Sequence, residues 1–186
     1  MVRLLVVWVM CWAAAAGAAD EPFGVLDIAL GTSYVRLNRA LDFRDLDTAL
    51  SQAETGKPDL GSRGYGCSRR DDEFADMACV SHTEQLAGVP TREIRLHFLA
   101  GRLQQFSLTA EVAHFDAVMA YLRGRFGTPS ETAPTSVNAA PGYRWQSDSA
   151  RIAAVRGKDL VFVNFELASY ADAVKRKREG ASALCS

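Results

Sequence analysis

The sequence predicts an α+β domain: an antiparallel sheet of hairpins covered on one face by helices. Three observations carry this. Ile94, Leu96 and Phe98 alternate with Arg95 and His97, the period of a strand with one wet face. Phe115, Val118, Met119, Leu122 and Phe126 recur at the period of a helix with a single apolar stripe. The chain order is helices, strands, helix, strands, with turns too short for parallel crossovers, so the strands must pair antiparallel and the helices must cover a dry sheet face. This order also admits a division near residue 111 into two tandem helix-plus-sheet repeats.

The elements follow in order. Phe23 to Leu30 alternates imperfectly and ends in Gly31-Thr32-Ser33, where Thr32 or Ser33 caps a helix through Tyr34, Val35, Leu37 and Leu41. Phe43, Leu46, Ala49 and Leu50 continue at helical spacing, so Asp42 or Asp45 starts a second short helix that fades by Ala53. The stretch 54–64, with Gly56, Pro58, Gly61 and Gly64, is a connector. Two strand-like runs follow, Tyr65 to Ser68 and Met77 to Ser81, joined by a polar turn. Arg92 to Thr109 is a hairpin turning at Ala100-Gly101. A helix over Ala113 to Phe126 has Arg123 and Arg125 at the negative end of its dipole, Gly127 as its C-terminal cap and Pro129 to stop it. After a Pro, Ser and Thr loop over Thr128 to Pro141, strands are expected at Tyr143 to Gln146, Ala150 to Arg156 and Leu160 to Leu167. A last helix over Tyr170 to Glu179 carries the basic run Lys175-Arg176-Lys177-Arg178, followed by a small-residue tail.

Residues 1–19 read as a signal peptide: Arg3 forms the n-region, Leu4 to Trp12 the apolar core, and Gly17 and Ala19 stand before a cleavage at Asp20. The apolar stretch is short and Ala-rich for a membrane span. A lipid anchor on Cys11 is disfavoured because Trp8-Val9-Met10 lacks the small residues such processing requires. The expected organisation is therefore a signal segment 1–19, a domain over 20–170 and a basic C-terminal helix and tail over 171–186, in a periplasmic or secreted protein. The chain holds 21 basic and 22 acidic residues, and the signal segment contains only Arg3 among them. That balance argues against non-specific nucleic-acid binding, which requires a basic excess.

Without Cys11, three cysteines remain in an oxidising compartment, which implies one pair and a leftover. Cys67 and Cys79 are the favoured disulfide because each lies in one of the two strand-like runs flanking a polar turn. Cys185 is then free, or joins two chains into a dimer.

The spacing Phe23-Gly24, then Leu30-Gly31-Thr32-Ser33 at a helix start, resembles the small exported domains related to the outer-membrane-assembly lipoproteins and to the β-lactamase inhibitor protein fold. Leu86-Ala87-Gly88-Val89-Pro90, Ala100-Gly101-Arg102-Leu103, Arg125-Phe126-Gly127-Thr128-Pro129 and Trp145 fit the same plan. The resemblance implies a helical pair on an antiparallel sheet, sometimes twice in tandem. It rests on Gly, Pro and apolar positions, which report folding constraints and carry no active site.

Cys79 and His82 have C-x-x-H spacing, with Cys67 and His97 nearby, but an exported dithiol oxidises, so no metal or cofactor is expected. There is no G-x-S-x-G elbow, and His82, His97 and His114 have no recognisable nucleophile beside them, so no enzyme is expected. Gly31-Thr32-Ser33 is explained by a helix cap as well as by an anion site. Candidate interaction residues are Tyr143 and Trp145, as aromatic anchors, with the core the favoured place for Trp145, and Lys175, Arg176, Lys177 and Arg178, as contacts to anionic headgroups or as a solvated helix end. The expectation is a non-enzymatic exported protein that binds another protein, with a small-molecule or lipid carrier, holding its cargo between helices and sheet, as the competing class.

Overall fold

The hairpin at Ala100-Gly101 is the spine of the molecule. In the computed structural model, which describes residues 23–53, 60–70, 72–132 and 142–184, its strands are β7 (Val89–Leu99) and β8 (Arg102–Glu111). Ala100 and Gly101 both adopt positive φ, 53° and 71°, the backbone of a two-residue turn whose twist matches that of the strands. Before the hairpin come β1 (Gly24–Val25), β2 (Ile28–Ala29), α1 (Tyr34–Leu41), β3 (Arg44–Asp45), α2 (Leu46–Ala53), β4 (Gly66–Arg69), β5 (Met77–Ser81) and β6 (Gln85–Leu86). After it come a 3-10 turn at Val112–His114, then α3 (Phe115–Phe126), β9 (Ser130–Thr132), β10 (Gly142–Gln146), β11 (Ala150–Arg156), β12 (Leu160–Leu167) and α4 (Tyr170–Leu184).

Local chemistry accounts for the helix ends. The Ser33 hydroxyl, rather than that of Thr32, accepts the Arg36 N–H at 3.3 Å to cap α1. Asp45, rather than Asp42, does the same for α2, accepting the Thr48 N–H at 2.8 Å. Gly127 ends α3 at φ 79°, with its N–H donated to the Arg123 carbonyl.

Ten strands form one sheet, in the order β3-β4-β5-β7-β8-β12-β11-β10-β9, with β6 paired to β7 off that path. All pairs are antiparallel except β3 with β4. Strand register lines up one row across seven strands: Cys67, Cys79, Leu96, Phe106, Phe165, Ile152 and Trp145 stand side by side. Every one of them is at most 4% exposed, so this row is the floor of the core. Phe106 and Phe165 stack at its centre with ring centroids 4.3 Å apart. Leu37 and Leu41 of α1 and Val118, Met119 and Leu122 of α3 close the same core from above. Burial of each such side chain contributes on the order of 2 kcal/mol.

The α+β class and the antiparallel sheet agree with the sequence reading, but helical cover is not confined to one face. Tyr170 and Val174 of α4 pack on Leu99 in a second small cluster, and Tyr170 lies beside Ala78 and His97, whose side chains point away from the core row. Four further differences have local causes. The 3-10 turn takes the first residues of the expected helix over Ala113 to Phe126. Ser130–Thr132, expected as loop, pairs with Gly142, Tyr143 and Arg144 of β10. Ala87 and Gly88, at φ 51° and 82°, make a second tight hairpin between β6 and β7. The last helix runs five residues past Glu179, through the small-residue tail. The signal segment 1–19, Cys11, most of the Pro-rich loop and Cys185 lie outside the described residues. Among the described residues, no helix is long and apolar enough to cross a membrane.

Candidate functional site

Register also aligns the rows that face away from the core. On one side of the core row stand Ser68, Ala78, His97, Gln105, Glu166, Arg151 and Gln146; on the other stand Val80, Arg95, Ser107, Asn164, Ala153 and Arg144. A third row brings Glu93, Thr109, Phe162 and Val155 together. This outer face is polar at its centre and knitted by its own side chains. Arg95 donates Nε and Nη2 to the two carboxylate oxygens of Glu93 at 3.1 and 3.2 Å. Arg151 donates to Glu166 at 2.8 Å and the Gln105 amide to Asn164 at 2.9 Å. Such half-exposed ion pairs each contribute under about 1 kcal/mol, so they organise the surface more than they stabilise it.

Open clefts mark this face among the described residues. One of about 430 Å³ lies between the outer rows and the start of α4, lined by Arg70, Asp72, Phe74, His97, Gln105 and Tyr170 among others. A second, of about 360 Å³, shares Arg95, His97 and Gln105 with it and ends at Phe162. A shallower one, of about 140 Å³, lies over Arg144, Arg151 and Glu166. His97 thus stands where the two larger clefts meet. Its Nδ1 is buried with no hydrogen-bond partner among the described residues. Burial pushes its pKa below the ordinary 6.5, and the Arg95 and Arg70 cations push the same way against the opposing pull of Asp72.

The 430 Å³ cleft is walled by a fixed loop. Asp72 turns residues 72–75 by accepting the Phe74 and Ala75 N–H groups, each at 2.9 Å. Tyr170, only 7% exposed, donates its hydroxyl to the Phe74 carbonyl at 3.0 Å. Burial raises the Tyr170 pKa, as do Glu166 and Asp72, so it stays a neutral donor.

The sequence-predicted residues fall in different places. Cys67 and Cys79 are directly opposed in β4 and β5, with sulfurs at disulfide distance, 2.00 Å, on the core face. Trp145 is a core residue, 4% exposed, whose indole N–H is donated to the Gly127 carbonyl at 2.8 Å; it presents no anchor to a partner. Tyr143 is half-buried against Phe115 with Arg123 over its ring, on the core side of β10. The basic run is not a uniform charged patch. Lys177 bonds to Asp76 at 2.8 Å and to the Ala75 carbonyl at 2.9 Å, and Arg178 pairs with Glu73. Both tie α4 to the β4–β5 loop, because the helix runs past that loop. Lys175 reaches Glu179 one turn along at 3.8 Å, and Arg176 is exposed. His82 bonds to the Arg92 carbonyl through Nδ1 at 2.7 Å, and among the described residues no three metal-capable groups converge. Sequence reasoning placed His97 on the wet face but not at a cleft, because the residues that build the cleft come from the β4–β5 loop, β5, β7, β8 and α4.

No family model matches the chain, and no curated protein matches it. Among solved structures, the chain is similar to a GTP-binding regulator from Thermotoga maritima, with 17% identity over 72% of this chain and 84% of that one, at a TM-score of 0.35. That likeness is too slight to carry a fold or a site across.

Proposed function

We propose that the chain is a non-enzymatic exported protein that binds another protein through the open outer face of its sheet. The observation that carries this reading is the register pair Phe162 and Val155, 47% and 41% exposed, set side by side within a polar, self-paired surface. Adjacent apolar side chains ringed by polar ones are the composition of an interface centre. Export is supported by the signal-like segment 1–19 and by the disulfide-distance pair Cys67 and Cys79, which suits an oxidising compartment. The resemblance to the outer-membrane-assembly lipoproteins and the β-lactamase inhibitor protein fold favours a cell-envelope partner.

The carrier reading needs a chamber between helices and sheet. The stacked Phe106 and Phe165, with Leu37, Leu41, Met119 and Leu122 over the sheet, occupy that layer with side chains at most 1% exposed, which favours the binder. The test places a photo-crosslinking residue at Phe162 and, as a control, at Val35, 60% exposed on α1. In cells, a discrete crosslinked protein through position 162 and none through 35 is expected. No adduct at 162, together with lipid or small molecule retained in the native mass spectrum, would instead establish the carrier. N-terminal sequencing of the protein from the periplasm or medium is expected to begin at Asp20.

A further inference from the structure

We infer that the 430 Å³ cleft beneath Tyr170 is a binding site for a carboxylate joined to a compact apolar or aromatic group. Asp72 Oδ1 accepts two backbone N–H groups while its Oδ2 stays open, and one N–H of the Gln105 amide is donated to Asn164. The Arg95 Nε and Nη2 are held by Glu93, which leaves Nη1. Arg70 is exposed, and its guanidinium has no ion-pair partner among the described residues. The His97 Nδ1 is buried and unpartnered. The open cations are thus the Arg70 guanidinium and the free Nη1 of Arg95, whose complement is an anionic oxygen. His97 Nδ1 donates or accepts according to its tautomer, and Asp72 Oδ2 is the one open carboxylate oxygen among these groups.

The number of charges separates carboxylate from phosphate. Asp72 lines the same cleft, and Glu93 is the partner of Arg95, so a dianion meets two carboxylates where a monoanion meets a near-balanced field. A planar monoanion also matches the fork of Arg70. The rest of the ligand is defined by the walls: Ala78 on the sheet, the Tyr170 ring pinned by its hydroxyl, and the Phe74 ring, 49% exposed at the rim. An exposed aromatic ring beside a guanidinium offers an apolar body somewhere to lie while its carboxylate is held. A cleft of this volume is at the small end of ligand sites, which fits one aromatic amino acid rather than a lipid chain. The site lies on the outer face, outside the core, and it does not depend on the protein-binding reading, since Phe162 does not line it.

The probe is N-acetylphenylalanine, with N-acetylphenylalaninamide as its uncharged counterpart, titrated into the full chain and followed by amide and histidine-ring NMR. The acid is expected to shift the His97 ring and the amides of residues 72–75, to raise the titration midpoint of His97 because a bound anion favours imidazolium, and to bind about tenfold more tightly than the amide. Arg70→Gln, at an exposed position, is expected to abolish the tenfold preference while leaving the spectrum of the fold unchanged. Phe74→Ala is expected to weaken acid and amide alike. Equal binding of acid and amide, shifts confined to other surfaces, or an unchanged preference in Arg70→Gln would overturn the assignment. A hexapeptide ending in phenylalanine separates the sources: tighter binding than the free acid identifies a peptide terminus as the ligand, and equal binding a small acid, both through the same carboxylate.

Discussion

Asp76 joins three parts of the molecule that are distant in sequence, and its substitution gives the most informative test of how the outer cleft is held. Its backbone N–H is donated to the Phe98 carbonyl at 2.8 Å, and its carbonyl accepts the Arg70 N–H at 3.0 Å. Its carboxylate accepts the Ala100 N–H at 2.7 Å and the Lys177 ammonium at 2.8 Å. One side chain thus fixes the β4–β5 loop, the central hairpin turn and α4. A hydrogen bond to a charged acceptor contributes about 1.5 kcal/mol or more, and a half-exposed ion pair under about 1 kcal/mol, so Asp76→Ala is expected to cost about 2 kcal/mol. For a domain of this size that is a fall of about 6 °C in Tm. Asp76→Asn keeps an acceptor for Ala100 and loses the charge, so its cost is expected to stay under about 1 kcal/mol and below that of Lys177→Met, which also removes the bond to the Ala75 carbonyl. Burial raises the Asp76 pKa, but the hydrogen bonds from Lys177 and Ala100 and the Lys177 charge outweigh it and hold the carboxyl below 3.8. The associated stability is therefore present above pH 3.8 and is lost as pH falls through the lower folded value; Asp76→Asn removes that part of the acid limb. Urea unfolding of the three variants, with hydrogen exchange at Gly101 and along α4, reads these effects. An Asp76→Ala cost within about 0.5 kcal/mol of the native chain would refute this role of Asp76, as would an Asp76→Asn cost equal to that of Asp76→Ala, which would leave nothing for the Ala100 bond.

Further expectations concern the turn, the disulfide, the indole and the buried imidazole. Ala100→Asn, at a left-handed position that Asn tolerates better than Ala, is expected to raise stability by about 0.5–1 kcal/mol in urea unfolding, whereas Gly101→Ala lowers it by about 1 kcal/mol. Joint replacement of Cys67 and Cys79 by Ala releases a short loop and is expected to cost about 3 kcal/mol in the chain-entropy account, read by the same assay. Trp145→Phe leaves the Gly127 carbonyl without its indole donor and is expected to cost about 1–2 kcal/mol, with faster hydrogen exchange at the end of α3. For His97, the folded pKa lies below 6.5; the unfolded chain then binds more protons just below that pH, so stability is full above 6.5 and falls as pH drops toward the folded value. His97→Gln is expected to flatten this limb in stability measured against pH.

What could be read in advance was local. The Ala100-Gly101 turn, the stripe of α3 and the limits of β11 and β12 follow from periodicity and turn chemistry within a dozen residues, and they agree with the structure residue for residue or nearly so. Ser130–Thr132 was not legible because a three-residue edge strand has no period of its own; its pairing with β10 comes from across an intervening loop. The end of α4 is hidden in the sequence because Gly180 reads as a helix stop, whereas Ala181, Ala183 and Leu184 beyond it are good helix formers. Lys175 to Arg178 looked like a single charged feature, yet Lys177 and Arg178 face the β4–β5 loop, while Lys175 pairs within the helix.

The candidate site was illegible for a stronger reason. Alternation showed that Arg95 and His97 face away from the core, but the neighbours of a wet-face residue are set by strand order, and here β12 inserts beside β8. That insertion places Glu166 next to Gln105 and Phe162 next to Thr109, more than fifty positions away in the chain. The same step decides which face α4 meets: a helix that leaves β12 at Leu167, in the middle of the sheet, reaches the β4–β5 loop only by crossing the ends of β8 and β7, and Tyr170 and Val174 meet Leu99 on that path. The apolar stripe of α4 is short because its route over the sheet is short, and Lys177 and Arg178 complete the attachment through polar contacts to the loop. The cleft with His97 is the space left between that crossing and the outer rows, so its position follows from strand order and not from any motif.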